Sequence, residues 1–506
     1  MTQSNSVPRT LLDLVRQAPA DQTALVSPEQ NIRVSYGGLI EQVEAVAAQL
    51  ASLGVGRGDR VASALPNGLA NVVCFLAASQ AGTAAPLNPG YKEDEFRFFL
   101  EDTNAKLLLL PPDGIDDARR AAGDRVPIVT VDTDASGNVS LAGVSRNGGV
   151  QPPTVNDVAL VLHTSGSTGR PKRVPLSHAN LSISAGNVAR TYALTSNDVS
   201  LCVMPLFHVH GLVASTLATL STGGTVVVPA KFNPLSFWRV ARDQGATWYS
   251  AVPTIHQLLL ARADAKAGPP PGAERLRFIR SCSAALPPQV MADLETAFGA
   301  PVLEAYGMTE AAHQMASNPL PPSSRKPGSV GPGTGVGISI MDAEGNHLPK
   351  GTQGEVVIQG PNVITGYENN PEANATSFSG GWFRTGDQGF LDENGYLTLV
   401  ARIKELINRG GEKVSPREID EVLLAHPAVA EAVCFGVPHP TWGEEVAAAV
   451  VLKESATSEQ LLAYCKERLS DFKRPKQIHL TDVIPRTATG KIQRRLVAQA
   501  FSTQAS

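Results

Sequence analysis

Cysteine is scarce in this chain: five residues in 506, at positions Cys74, Cys202, Cys282, Cys434 and Cys465. The number is odd, the spacing is wide and no C-x-x-C pair occurs, which argues against a disulfide framework and against a structural zinc site. Charge of one sign is not in excess either. A formal net charge of −4 provides no basic field of the kind a dedicated nucleic-acid binder carries. No apolar run reaches the length of a membrane span, the polar segment from Met1 to Arg9 lacks an apolar h-region, and the terminal Phe501–Ser506 carries no peroxisomal tripeptide. The expectation is a soluble, cytoplasmic protein with reduced thiols, no membrane partner and no nucleic acid. What is present is ordinary globular material, 42% hydrophobic and 18% charged, long enough for more than one domain.

One stretch stands out: His163-Thr164-Ser165-Gly166-Ser167-Thr168-Gly169-Arg170-Pro171-Lys172. It follows the apolar run Val158–Leu162, which reads as a buried strand, and it is expected to lead into a helix with Ser177 as N-cap. Two glycines, four hydroxyl residues and a closing lysine supply many donors and one cation, a composition suited to holding phosphate. Ser/Gly-rich turns are common, so this loop alone does not decide the function.

Around it, short apolar strands alternate with helical patterns. Strands are expected at Ile32–Tyr36, Arg60–Leu65, Thr83–Leu87 and Ala105–Leu110, and helices at Gly38–Leu53, Leu69–Ala81 and Glu93–Glu101. After the loop the alternation resumes through Val199–Met204, Thr225–Pro229, Ala246–Val252 and Leu276–Arg280. The pattern predicts an α/β fold: a large N-terminal domain with doubly wound, mainly parallel sheets. Polar turns follow several strand C-termini, where open α/β sheets bind ligands. They include Ser281–Leu286 and Ala305-Tyr306-Gly307-Met308-Thr309-Glu310.

Five motifs now fall in a recognisable order: Thr164–Lys172, Tyr306–Glu310, Arg384-Thr385-Gly386-Asp387, Arg402-Ile403-Lys404-Glu405 and Pro485–Arg494. In order and approximate spacing the chain resembles the acyl-adenylate-forming superfamily of AMP-dependent synthetases and ligases over nearly its whole length. The resemblance implies two domains, 1–401 for adenylation and a small mobile α+β domain at 402–506, with a hinge near Lys404. It also implies ATP and Mg²⁺, with coenzyme A as cosubstrate.

The chemistry explains the residue types. A carboxylate acylates poorly, so it first attacks the α-phosphorus of ATP and releases pyrophosphate. Two anions must meet, and the protein contributes positioning and positive charge. Thr164, Ser165, Gly166, Ser167, Thr168, Gly169 and Lys172 suit the β- and γ-phosphates. Glu310 suits Mg²⁺, a hard cation that takes oxygen ligands, and Thr309 the α-phosphate. Ser283, Ala284 and Ala285, with Glu304, Ala305, Tyr306 and Gly307, stand where the resemblance puts the nucleotide, with Tyr306 stacking on the base. Asp387 is the acceptor for two ribose hydroxyls, and Arg402 a further ribose donor. Lys491 matches the lysine that reaches the α-phosphate during adenylation.

From Lys466 onward the chain carries nine Lys/Arg against three Asp/Glu. That is a solvated basic face or a surface for a partner with several phosphates. Arg409, Gly410 and Gly411 are expected to line the route of a pantetheine thiol, and Lys473 and Arg474 to meet the nucleotide end of coenzyme A. Arg173 departs from the pattern, since a glycine usually follows the loop lysine; it either adds charge near the phosphates or faces solvent.

For the acid, the turns facing the expected acyl position carry His208, His210, Ser281, Ser283 and His313, which together indicate a small, polar, anion-tolerant pocket in place of a long apolar tunnel. Longer shared runs, among them Pro205–Gly211, Ala251–His256, Phe278–Ala284 and Lys404–Lys413, resemble the oxalate–CoA ligase branch found in plants and fungi. Imidazole and hydroxyl donors suit a second carboxylate beside the reacting one. A medium-chain or aromatic acyl-CoA ligase shares the core motifs. A carrier-loading adenylation domain would use a tethered thiol, and no attached carrier is seen. A non-catalytic nucleotide sensor need not keep both Glu310 and Lys491.

Overall fold

The computed structural model describes residues 7–164, 171–263, 268–486 and 492–502. Two large sheets dominate. One has eight strands, running from the edge strand His313–Ser317 through Val302–Met308, Phe278–Ser281, Trp248–Ala251, Val199–Leu201, Thr225–Val227 and Thr23–Ser27 to Ile32–Ser35. The other has seven, ordered Val139–Leu141, Ile128–Thr133, Ala105–Leu110, Arg60–Ser63, Thr83–Pro86, Val158–Thr164 and Lys172–Ser177. Both share one design. The interior strands pair in parallel, and an antiparallel strand closes each edge. The expected doubly wound architecture is present.

Why the first third of the chain reads as it does is visible in the packing. The helix Leu69–Ala81 is apolar around almost its whole circumference, with eleven of its thirteen residues buried. It touches strands of both large sheets, so no face is left for water and no amphipathic stripe is needed. The helix Tyr36–Ser52 has an apolar face of Leu39, Val43, Val46 and Leu50 and starts at Ser35, whose hydroxyl accepts from Gly38 N–H.

Two features depart from expectation. The Ser/Gly-rich loop does not enter a helix directly. It joins two antiparallel strands whose register pairs Thr164 with Lys172 and His163 with Arg173. The run Lys172–Ser177 alternates too briefly to be distinguished from a loop exit by periodicity. Ser177 then caps the helix His178–Thr191 in a capping box with Asn180, as anticipated. The second departure is a third sheet, wholly antiparallel, made of Gly337–Met341, Gly354–Gln359, Phe378–Ser379, Trp382–Leu391 and Leu397–Arg402.

Arg402 is the last residue of that third sheet. A single turn, Ile403–Glu405, leads to a separate five-stranded sheet of Ile407–Arg409, Glu412–Val414, Val429–His439, Gly443–Leu452 and Gln477–Leu480. Helices Pro416–Leu424 and Ser458–Arg468 cover its core. This smaller unit touches the larger one through Ser415 Oγ to Val400 O at 2.8 Å, Arg417 Nη1 to Leu399 O at 2.7 Å, and Arg486 Nη1 to Thr254 Oγ1 at 2.7 Å. Among the described residues no helix is long and apolar enough to cross a membrane.

Candidate active site

The site is assembled at the C-terminal ends of the parallel strands Trp248–Ala251, Phe278–Ser281 and Val302–Met308, where a doubly wound sheet leaves a crevice. The last strand runs into a 3₁₀ turn, Thr309–Ala311, and reverses into His313–Ser317. Ala312 and His313 both take positive φ, 51° and 116°, and so does Ser283 at 74°. Non-glycine residues in that region carry strain of about 1–3 kcal/mol each, which persists where the surroundings demand the geometry.

On the phosphate side, residues 165–170 and 487–491 lie outside the described residues. Ser165, Gly166, Ser167, Thr168, Gly169 and Lys491 therefore receive no structural account. The flanks of the loop converge on Glu310. Its Oε1 accepts from Tyr367 O–H at 2.8 Å and lies 3.4 Å from Thr164 Oγ1. Lys172 Nζ sits 4.5 Å from the Tyr367 ring centroid. Its pKa is lowered, chiefly by burial, partly restored by Glu310 and lowered further by Lys404. Lys404, in the connecting turn, is thus within electrostatic reach of Lys172. Thr309 is buried beside Glu310.

Among the described residues no group of three or more metal-ligating side chains occurs, and no hydrogen bond to Glu310 Oε2 is found. One carboxylate with an available oxygen fits Mg²⁺, which usually keeps waters and substrate phosphates as its remaining ligands.

Arg173 does not face solvent. It is buried, its Nη1 donates to Asp102 O, and its Nε lies 3.4 Å from Asp102 and 3.6 Å from Glu368. Arg60 holds both oxygens of Glu368 at 2.7 Å, and His163 Nε2 is 2.9 Å from Asp102. Two guanidinium groups and two carboxylates brace the strand ends that carry the phosphate loop.

On the nucleoside side, Asp387 is buried and already engaged twice. Its Oδ1 accepts from Arg402 Nη1 at 2.6 Å and its Oδ2 from the Tyr306 hydroxyl. Burial, with Asp387 alongside, pushes the Tyr306 phenol well above its ordinary value. The Tyr306 hydroxyl therefore serves Asp387, a contact not anticipated from its aromatic ring, and Arg402 is tied to the same carboxylate. Ribose hydroxyls would share or replace these donors. Ala284 and Ala285 are exposed and Ser283 half-buried on the facing turn. Glu304 sits behind that turn, and Leu286 N–H donates to its Oε1 at 3.0 Å. Burial pushes its carboxyl up to about 7, and its Oε2 has no partner among the described residues. Ala305 and Gly307 continue the strand toward Thr309.

The acid side holds the largest surprise. Arg280 is 0% exposed, yet among the described residues no carboxylate pairs with it. Its Nε donates to Tyr192 Oη at 2.8 Å, Nη1 to Ser250 Oγ at 2.9 Å, and Nη2 to His313 Nε2 at 2.9 Å and Gln314 Oε1 at 3.1 Å. His210, at the start of a π-helix over His210–Leu217, reaches Ser250 Oγ through Nε2 at 2.6 Å and Ser283 Oγ through Nδ1 at 3.1 Å. The His210 and His313 rings stack at 5.2 Å. Burial and then Arg280 hold both imidazoles well below the ordinary histidine pKa, so both are neutral near pH 7.

His208 is half-buried, and its Nδ1 accepts from His210 N–H at 3.2 Å. Ser281 is buried with an unpartnered hydroxyl. His313, Ser281, Ser283 and His208 are thus brought into one neighbourhood, as expected. Arg280 and Ser250 were overlooked because they lie inside strands that read as plain core. Their parallel register, Ser250 opposite Arg280, is a tertiary fact.

The residues expected to meet coenzyme A are in the smaller unit. Arg409 is clamped by Glu445 at 2.5 and 3.0 Å and lies 5.4 Å from the Trp442 ring centroid. Gly410 and Gly411 adopt positive φ in the adjoining turn. Lys473 Nζ meets both Glu418 oxygens at 2.8 Å, and Arg474 meets Asp471 at 2.9 Å. These cations are engaged internally, so phosphates would have to compete for them.

At these strand ends Glu310 lies beside Thr164, Asp387 is tied to Tyr306 and Arg402, and Arg280 is buried among His313 and Ser250, an arrangement consistent with a nucleotide-dependent enzyme that activates acids. The chain belongs to the AMP-binding enzyme family, whose model matches residues 13–368, with the AMP-binding enzyme C-terminal domain matching 418–491. It is 48% identical to an oxalate–CoA ligase of Arabidopsis thaliana, over 97% of this chain and 98% of that one. It is 44% identical to an oxalate–CoA ligase of Saccharomyces cerevisiae, over 96% and 95%. Among solved structures, ATP-bound MatB from Rhodopseudomonas palustris superposes with a TM-score of 0.90 at 31% identity, covering 99% of this chain and all of that one. The apo form of the same protein gives 0.78.

Proposed function

We infer that this chain is an AMP-forming acid–CoA ligase. It joins a carboxylate to the α-phosphate of ATP with release of pyrophosphate, then passes the acyl group to the thiol of coenzyme A. Oxalate is the acid proposed. The observation that carries this choice is a buried polar cluster: Arg280, Ser250, His210, His313 and Ser283 are joined by hydrogen bonds and ring stacking, and among the described residues no carboxylate neutralises the buried guanidinium. Such a cluster favours an acid with a second anionic group and offers little to a long apolar chain. The relatives named above support the same substrate.

The proposed roles follow the sequence motifs. Thr164 and Lys172 with the intervening loop hold the β- and γ-phosphates, Glu310 would hold Mg²⁺, and Thr309 donates near the α-phosphate. When bound, Mg²⁺ supplies positive charge to offset that developing on the phosphates. Asp387 takes the ribose, with Tyr306 and Arg402 orienting its carboxylate. Lys491 enters from the smaller unit for adenylation. The hinge lies in the Ile403–Glu405 turn around Lys404, with the boundary between units immediately after Arg402. The better match to the ATP-bound than to the apo relative supports an orientation suited to the first half-reaction.

The decisive measurement is pyrophosphate release across an acid panel with ATP, Mg²⁺ and coenzyme A. Oxalate is expected to exceed hexanoate and coumarate by at least about a hundredfold in kcat/KM, the discrimination expected when a site's buried polar groups would otherwise be left unpaired. Equal rates with hexanoate or coumarate would overturn the oxalate assignment.

A further inference from the structure

A guanidinium buried without a counter-anion is expensive unless something repays its desolvation. Among the described residues Arg280 has only neutral acceptors around it, namely Tyr192, Ser250, His313, Gln314 and, at 3.4 Å, His210. This restricts the protons of its neighbours. Arginine donates and never accepts, so the 2.9 Å contact from Arg280 Nη2 requires an unprotonated Nε2 on His313. A neutral His313 must therefore carry its proton on Nδ1. Among the described residues no hydrogen bond to His313 Nδ1 is found, although the residue is only 2% exposed. An N–H donor on a nearly buried side chain is thereby left without a partner among the described residues.

The same logic passes through Ser250. Its hydroxyl oxygen accepts from Arg280 Nη1 at 2.9 Å and lies 2.6 Å from His210 Nε2, while Nη1 itself is 3.4 Å from that nitrogen. A proton on Nε2 would point at the guanidinium and leave the Ser250 hydrogen without an acceptor. With Ser250 donating to Nε2, every group is satisfied, and His210 also carries its proton on Nδ1. That proton faces Ser283 Oγ at 3.1 Å, which turns the Ser283 hydroxyl hydrogen outward on a half-buried, positive-φ turn.

We propose that Arg280 is a positioning residue that sets the proton arrangement of the acid recess. It holds His313 and His210 as neutral Nδ1–H imidazoles, so that His313 and, through His210, Ser283 all donate toward the second anionic group of the acid. Arg280 supplies long-range attraction without touching the substrate. The arrangement selects small acids with two anionic groups and rejects cations and bulky neutral tails. This proposal rests on the acid–CoA ligase reading above, but its central observable does not depend on which acid is used.

The test uses the full chain labelled with ¹⁵N-histidine, with the ring-nitrogen shifts read at pH 7 and the signals assigned with His210→Asn and His313→Asn. The expected pattern for both residues is a protonated Nδ1 and an unprotonated Nε2. An Nε2–H tautomer or an imidazolium at His313 overturns the proposal. Kinetics of Arg280→Lys and Arg280→Gln add a second arm. Losing charge-assisted hydrogen bonds should raise the acid KM about tenfold or more while the ATP KM stays within about twofold. An unchanged acid KM in a folded variant also overturns it. Should neither variant fold, the tautomer measurement on the unsubstituted chain still decides. A chain that ignores oxalate yet shows both Nδ1–H tautomers would sink the substrate assignment and leave the role of Arg280 standing.

Discussion

Tyr367 shows how one side chain can serve two charges. Its O–H donates to Glu310 Oε1 at 2.8 Å while its ring lies 4.5 Å from Lys172 Nζ, so a single residue orients the proposed metal-binding carboxylate and backs the proposed phosphate-binding lysine. Nothing in its local sequence, Gly366-Tyr367-Glu368, marks it for this, whereas Glu310 and Lys172 were recognisable from their motifs. Tyr367→Phe removes a charge-assisted hydrogen bond worth about 1.5–3 kcal/mol. Because that bond acts on Glu310, the expected outcome is a rise of about tenfold in the KM for MgATP with the acid KM within about twofold, measured by pyrophosphate release. Arg173 teaches the converse lesson. Its charge was legible, but only the tertiary structure pairs it with Asp102 and Glu368 in a buried cluster at the strand ends.

At the scale of elements, the reversal from Val302–Met308 into His313–Ser317 is the tightest join in the site. A Cβ added at Gly307 would come 2.1 Å from His313 O. The backbone of the Val302–Met308 strand thus lies directly against His313, the residue proposed to face the acid. Gly307→Ala must push the two strands apart or shift the His313 turn. Overpacking against backbone predicts a loss of about 2–4 kcal/mol in stability, read as a lower urea midpoint, together with a raised acid KM. An unchanged acid KM would show that the turn absorbs the displacement. Much of this scale was legible: the alternation of strands and helices and the Ser177 cap all follow from periodicity and capping chemistry. The short strand after the loop and the π-helix at His210 did not, because their hydrogen bonds are decided by neighbours distant in sequence.

For the molecule as a whole, pH couples to the buried histidines. Burial lowers His178 and His256 to about 4, and His210 and His313 well below 6.5. Between the depressed folded values and 6.5 the unfolded chain binds more protons, so stability is fully present above 6.5 and is lost as pH falls through this window. Each such histidine adds a slope of about 1.4 kcal/mol per pH unit where only the unfolded state is protonated. His163 and His479 are lowered as well, while Glu304, raised to about 7, and Asp420, raised by burial, work in the opposite sense, two groups against six. The thermal midpoint is therefore expected to rise from pH 5 to pH 6.5. A flat or falling midpoint would contradict the neutral-histidine arrangement.

The linear chain by itself determined the class of fold, the order of its motifs and the kind of chemistry they serve. Apolar periodicity dictates strands and helices, and the carboxylates, glycines and lysines of the motifs carry their chemistry in their residue types. What only the tertiary structure decided is which of these groups share a recess and in what protonation state. Arg280, Ser250, His210 and His313 come from four separate segments of the chain. Their significance lies in a buried charge and the direction of its hydrogen bonds, and neither exists until the strands are laid side by side.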